Sequence, residues 1–300
     1  MSDYQLIPQQ RFLDHIKFER RLSVHTVRAY MDDLSAFFLF TEQQFEIKAP
    51  EMVTSAMVRS WVADLSVRKV QARSINRKLS SLKAFYRFGQ KAGMFSSSPL
   101  ANIPVLRVKK RLPAYIEKDK MEALLHEIEF PDSFQGRTEY LVISLLYHTG
   151  IRVSELANLK MSQIDLDRSQ IKVLGKGNKE RIIPVHEELV ALIKAYQQEK
   201  NDNFPSATFE TLLLTARQKP PGVRQIYDIV HKKLLLVTTA ERRSPHVLRH
   251  SFATHLTANG AELNAVKELL GHTSLAATQV YTHNSIERLR DIHRKAHPRG

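Results

Sequence analysis

Ile171-Lys172-Val173-Leu174-Gly175-Lys176-Gly177-Asn178-Lys179-Glu180-Arg181-Ile182-Ile183-Pro184-Val185 breaks the helical pattern that surrounds it. Two short runs rich in β-branched and aliphatic residues flank a charged turn with two glycines, a combination that predicts a hairpin. Upstream, apolar residues recur at helical spacing in 118–127 and 138–147, and helices return after Glu187. The C-terminal part is therefore expected to be mixed but predominantly helical, with a small antiparallel β-sheet. Asp165 and Asp167 fall in an expected turn ahead of the hairpin. Residues 201–223 carry few signals, and no internal repeat is seen.

Toward the N-terminus lies a polar, basic, proline-punctuated stretch: Ser96-Ser97-Ser98-Pro99, Asn102-Ile103-Pro104 and Val108-Lys109-Lys110-Arg111-Leu112-Pro113. Residues 101–116 are expected to link two domains. Ahead of them, helices are expected around Phe12 and Ile16, and from Thr26 as N-cap through Val27, Tyr30, Leu34, Phe37 and Phe38. Another runs from Thr54 through Val58, Trp61 and Leu65. The expected fold class is mainly α: a helical bundle over 1–100, the linker over 101–116, and a domain over 117–300 closed by a tail helix.

Composition narrows the partner. The 300 residues include 45 Lys and Arg against 31 Asp and Glu, a net charge of +14, which favours a polyanion such as nucleic acid over an acidic small substrate. A hydrophobic share of 43% is enough for a buried core and argues against wholesale disorder. With no cysteine, disulfides, thiolate catalysis and cysteine-held zinc or iron-sulfur centres are excluded. No apolar run approaches the roughly 18 residues of a membrane span, and Met1 to Gln5 do not open a signal peptide. A soluble, cytoplasmic protein with no membrane partner is the expectation.

The charge is concentrated. Residues 1–110 hold 18 basic and 9 acidic side chains, and from Leu65 to Ile116 there are 12 Lys or Arg and no acid. At 100° per residue, Arg73, Arg77, Lys83, Arg87 and Lys91, with Ser80, fall within an arc of about 120°, opposite Ile75, Leu79, Leu82 and Tyr86. A solvated helix face usually mixes signs to limit self-repulsion. This one does not, and a DNA-contacting face is the better reading of it.

Four segments of the second domain concentrate reactive side chains: Thr149-Gly150-Ile151-Arg152-Val153-Ser154-Glu155-Leu156, Gly175-Lys176-Gly177, Ser244-Pro245-His246-Val247-Leu248-Arg249-His250, and Leu269-Leu270-Gly271-His272 running on to Tyr281. Singly, each is more simply a salt-bridge partner, a core histidine or a packed ring. Together they suit attack on a phosphodiester without metal. Arg152 and Arg249 can clamp the nonbridging oxygens and stabilise charge growing in the transition state. A tyrosine phenol, ordinarily near pKa 10, attacks only beside a proton acceptor and cations; His246 and His272 fit that need. Lys176, in a glycine-flanked turn, can donate a proton to a departing 5′ oxygen.

Competing chemistries lack their patterns. The Gly-x-x-x-x-Gly-Lys-[Ser/Thr] spacing of a phosphate loop is absent. His246, His250 and His255 lack a His-Glu-x-x-His arrangement, and His246 follows Pro245, where a helix is expected to start. No metal site and no cofactor is expected.

The quoted motifs, with Gly175-Lys176-Gly177-Asn178-Lys179-Glu180-Arg181, Leu270-Gly271-His272 and Tyr281-Thr282-His283, are similar in order and spacing to those of the tyrosine recombinases, in their Xer branch. The resemblance spans essentially the whole chain. It implies a core-binding domain in the basic helical part and a catalytic domain from about 117. It further implies a pocket of Arg152, Lys176, His246, Arg249 and His272, with Tyr281 as nucleophile forming a 3′-phosphotyrosyl link. As partners it implies a double-stranded DNA recombination site, a homo- or hetero-tetramer joined by cyclic contacts of the C-terminal helix, and a septal DNA translocase as activator. Its biological setting would be resolution of chromosome dimers at cell division.

Glu155, one turn after Arg152, either orients that arginine or is a plain surface acid. In the tail, Ile286, Leu289 and Ile292 share a stripe that the resemblance assigns to a neighbouring subunit rather than to its own domain. His148 stands where many relatives carry a small residue. A mobile-element integrase and a type IB topoisomerase-like relaxer share the pocket, and a noncatalytic DNA-binding protein is the reading from a different class. The short chain, without added arm-binding domains, points toward the Xer role.

Overall fold

A computed structural model describes residues 3–108, 114–175, 180–205, 209–271, 292, 295 and 296, those at 3–6 by backbone alone. The chain forms two units, Met1–Arg111 and Leu112–Gly300.

In the first unit, α1 (Asp3–Asp14) runs into a π-helical turn (His15–Glu19), followed by α2 (Val24–Phe45), α3 (Ser55–Val67) and α4 (Ala72–Lys91). Helix α2 starts at Ser23, whose hydroxyl accepts from the Thr26 N–H at 3.2 Å, so the cap lies three residues ahead of the expected Thr26. Helix α3 starts at Thr54 as expected, with the hydroxyl accepting from the Met57 N–H. The inner face of α4 buries Ile75, Leu79, Leu82, Phe85 and Tyr86. Phe85 lies edge-on to Phe12 and Phe38, and Phe37 to Trp61, with ring centroids between 5.0 and 5.7 Å. Edge-to-face rings add cohesion beyond their buried area.

This unit keeps the chain for longer than composition suggested. Leu100 and Ile103 are buried in the helical core. Asn76 of α4 then holds Leu106 by both backbone groups: its Nδ2 donates to the Leu106 carbonyl and its Oδ1 accepts from the Leu106 N–H, each at 2.9 Å. The first part of the segment 101–116, read as linker, is thus packed structure. At its far end Ile116 belongs to the core of the second unit, its N–H donating to Ser251 Oγ at 2.8 Å. Residues 109–113 lie outside the described residues.

The second unit is built around α6 (Phe134–Thr149), buried continuously from Leu141 to its end. Helices α8 (Glu187–Asn203) and α10 (Pro245–Ala258) pack on it, as do α5 (Lys118–His126), α7 (Val153–Ala157) and α9 (Val223–Val237), while α11 (Leu263–Leu270) packs on α10. The hairpin forms as expected from β2 (Gln170–Leu174) and β3 (Glu180–Pro184), with Ile171 opposite Ile183 and Val173 opposite Arg181. A two-residue strand β1 (Ile164–Asp165) joins its edge, so Asp165 ends a strand rather than lying in a turn. Segment 201–223, poor in signals, supplies Leu212, Leu213 and Leu214 to the core.

Of the tail, Ile292 and Ala296 pack on the core of their own chain, and Asn259 Nδ2 donates to the Ala296 carbonyl at 2.8 Å. In this single chain those residues take the cis arrangement, where the sequence reading favoured a neighbour. Ile286 and Leu289 lie outside the described residues.

Candidate active site

Helix α6 stops at Gly150, which adopts φ +57° and donates its N–H to the Leu146 carbonyl. A Cβ here would lie 2.5 Å from Phe252 and 2.9 Å from Leu270, so both the turn and the close approach demand glycine. Ile151 is then buried and Arg152 opens α7. Glu155, in the first turn, reaches back to the Arg152 N–H at 2.9 Å, the return half of a capping box.

Glu155 is no surface acid: 8% of its side chain is exposed. Its Oε1 accepts from Arg152 Nη1 at 2.8 Å, and Arg181 of β3 grips both carboxylate oxygens, Nη1 to Oε1 at 2.9 Å and Nη2 to Oε2 at 2.7 Å. Burial alone would raise its pKa, but the hydrogen bonds from Arg181 and Arg152 outweigh it and hold the carboxyl at about 2. At neutral pH it is a fixed anion among guanidinium groups.

Arg249 comes from α10. Pro245 stands at the start of that helix, as expected, and a third of a turn later His246 is exposed while Val247, Leu248 and Arg249 turn inward. Arg249 donates Nη1 to the Gly150 carbonyl and Nη2 to the Leu270 carbonyl. Burial first, then the neighbouring charges of Arg152 and Arg181, lower its pKa to about 9. A cation crowded by like charges favours an arriving anion, which relieves the repulsion.

The end of α11 gathers these groups. Three successive carbonyls, of Leu269, Leu270 and Gly271, accept from Arg181 Nε at 2.9 Å, from Arg249 Nη2, and from Arg152 Nη2 at 2.8 Å. The unpaired carbonyls of a helix C-terminus carry partial negative charge and suit cations. Gly271 takes φ +62° to end the helix, and a Cβ there would meet Arg181 Cδ at 3.0 Å.

Arg152 and Arg249, far apart in sequence, are thus brought to adjacent carbonyls. His246 lies one turn before Arg249 on the same helix. Lys176, His272 and Tyr281 lie outside the described residues, the first between β2 and β3 in sequence, the other two after Gly271. The residue not foreseen is Arg181. Its signal was parity: in a strand with Ile183 facing inward, Arg181 faces inward too, and a charge there demands a buried counter-ion. Among the described residues no three His, Asp or Glu side chains are grouped to hold a metal ion.

On α4, Arg73, Arg87 and Lys91 are exposed and Lys83 is half-buried. Arg77 is tied to Asp33 of α2, an acid outside the acid-free stretch. Lys78 shares that carboxylate, so the charge of Arg77 on the expected DNA face is partly offset.

Two family models match the chain: the phage integrase family over residues 114–288, and the phage integrase N-terminal SAM-like domain over 10–93. Tyrosine recombinase XerC of Mycobacterium tuberculosis (strain ATCC 25177 / H37Ra) is 37% identical over 96% of this chain and 98% of its own. The chain belongs to the tyrosine recombinase family. The recombinase is also 35% identical to tyrosine recombinase XerC of Chlorobaculum parvum (strain DSM 263 / NCIMB 8327), over 96% of this chain and 93% of that one. Its fold matches that of the XerH site-specific recombinase bound to palindromic difH substrate, with TM-score 0.70 at 21% identity over 95% of this chain and 84% of that one. A lambda integrase dimer on a COC′ core site matches at TM-score 0.68 and 18% identity, covering 91% and 98%. Membership makes the recombinase an enzyme of site-specific DNA recombination, one that cuts and rejoins DNA. Among the described residues no helix is long and apolar enough to cross a membrane.

Proposed function

We propose that the recombinase resolves chromosome dimers at cell division in the cytoplasm, cutting DNA with Tyr281 in a pocket of Arg152, Lys176, His246, Arg249 and His272. Residues 1–100 act as the core-binding domain, with Arg73, Arg77, Lys83, Arg87 and Lys91 toward DNA, and residues 117–300 as the catalytic domain. The observation carrying this reading is the delivery of Arg152 and Arg249 to adjacent carbonyls at the exit of α11, just ahead of His272. Two guanidinium groups so held supply bidentate donors for the nonbridging oxygens of a phosphodiester.

The Tyr281 oxygen attacks phosphorus while its proton passes to a histidine, His246 or His272. The bond from phosphorus to the 5′ oxygen breaks, and Lys176 protonates that oxygen. The 3′-phosphotyrosyl link conserves the bond energy, so rejoining needs neither nucleotide hydrolysis nor a redox partner. The similarity to XerC proteins over nearly their whole length supports the chromosomal setting. Strand exchange in that setting involves four subunits, with a septal DNA translocase as activator.

Covalent trapping tests the chemistry. Wild type and Tyr281→Phe are incubated with nicked duplexes carrying recombination sites, in EDTA, and denaturation-resistant protein on DNA is measured. A wild-type adduct that survives EDTA and is lost in Tyr281→Phe, with DNA binding retained, is the expected result. An adduct persisting in Tyr281→Phe would overturn the nucleophile.

A further inference from the structure

We infer that Arg181 is a positioning residue for strand cleavage, setting the register between the arginine clamp and the chain that leads from α11 into His272 and Tyr281. The inference rests on the pocket proposed above. Among the described residues, Arg181 hydrogen-bonds to none that would meet the scissile phosphate. Its side chain, 3% exposed, instead spans two supports. With Nη1 and Nη2 it holds both oxygens of Glu155, the acid that fixes Arg152 through side chain and backbone. With Nε it holds the Leu269 carbonyl, next to the carbonyls that receive Arg249 and Arg152.

Every nitrogen of this planar fork therefore has a partner, and each partner is a neighbour of the clamp. Lysine could not reproduce it, since a single ammonium cannot meet two carboxylate oxygens side by side and a carbonyl in a third direction. Arg181 also lies in β3, five residues after Lys176, so the strand that bears the hairpin turn is anchored to the same acid. A small displacement here would shift Arg152 relative to α11 while leaving the DNA-facing surfaces alone. Misplacing reacting groups by about 1 Å can cost on the order of 100-fold in rate.

The test is single-turnover cleavage of a nicked suicide duplex by wild type, Arg181→Lys, Arg181→Gln and Arg152→Ala. DNA affinity and thermal melting are followed in parallel. The expected result is that Arg181→Lys and Arg181→Gln bind DNA as wild type does, while their rate constant for adduct formation falls about 100-fold with the final amplitude preserved. A purely structural role would instead lower the amplitude, because fewer molecules would be folded, and leave the rate constant of the active fraction unchanged; that result overturns the inference. If Arg181→Gln melts before the assay temperature, Arg181→Lys, which keeps the buried charge balance, decides alone. Wild-type cleavage by Arg181→Lys beside an inactive Arg152→Ala would overturn the role of Arg181 only. Wild-type cleavage by Arg152→Ala would bring down the pocket and this inference together.

Discussion

Asp33, 1% exposed inside the helical bundle, holds both terminal nitrogens of Arg77 with its two carboxylate oxygens. Lys78 Nζ at 3.0 Å and Ser81 Oγ at 2.7 Å complete its shell. Four side chains from two helices thereby join α2 to α4 beneath the basic face. Asp33→Ala strands two cations and a hydroxyl, and should cost roughly 2–3 kcal/mol, as hydrogen bonds to charged groups do. Denaturant unfolding of the full chain measures this; a cost below about 0.5 kcal/mol would show the cluster to be no more than a surface ion pair.

The same pairing ranks the cations of α4 that are proposed to contact DNA. Arg73 and Arg87 meet no carboxylate among the described residues, whereas the charge of Arg77 is partly offset by Asp33, which it shares with Lys78. Each phosphate left without its neutralising cation should flatten the plot of log affinity against log salt by about 0.9. Arg73→Ala with Arg87→Ala should therefore lower the slope by nearly 2, and Arg77→Ala by clearly less than 1. Equal effects from Arg77→Ala and Arg73→Ala in a salt titration would contradict this ranking.

Gly150→Ala places a methyl group against Phe252 and Leu270 at a residue with φ +57°. Left-handed strain plus overpacking should destabilise by about 2–4 kcal/mol. Because the Gly150 carbonyl also receives Arg249, the folded variant should cleave DNA more slowly than its melting temperature alone would explain. Cleavage assayed well below the melting point separates the two effects, and an undiminished rate there would mean that the substitution leaves Arg249 in place.

Acid sensitivity follows from Glu155. Its folded pKa of about 2 lies below the ordinary 4.5, so the stability it supplies is complete above pH 4.5 and drains away as pH falls through about 2. Glu155→Gln, which cannot ionise, should be less stable than wild type at neutral pH by about 3 kcal/mol, in the range for breaking a buried pair. That gap should narrow as pH falls from about 4.5 toward 2. A gap of constant size between neutral pH and about pH 3 would assign the stabilisation to shape rather than charge.

Local patterns were legible in the sequence because their causes are local. Alternation and glycines announced the hairpin, Thr54 and Pro245 marked helix starts, and the periodicity of α4 separated its basic face from Ile75, Leu79, Leu82 and Tyr86. Arg152 and Arg249 stood out by residue type, and the structure brings them together. What stayed hidden depends on partners remote in the chain. Asp33 lies outside the acid-free stretch whose cations it binds, Asn76 holds Leu106 through side-chain contacts no periodicity encodes, and Arg181 is explained only by Glu155 and the Leu269 carbonyl. Strand β1 is too short to show alternation. Leu212 to Leu214 are a three-residue run in polar surroundings, buried by neighbours rather than by their own pattern.

Because three arginines read the carbonyls of Leu269, Leu270 and Gly271, they read main chain rather than side chains. Replacing Leu269 with another helix-forming apolar residue leaves its oxygen where it was. Deleting or inserting one residue just before it turns the helix end by about 100° and moves it by about 1.5 Å, so that each guanidinium faces a different oxygen or none. The end of α11 should therefore tolerate drift in residue type, within the limits of packing, far better than any change in length. In a library of single-residue deletions, the positions from Leu263 to Gly271 should be among the least forgiving of the second unit, whatever the chemistry of the side chain removed.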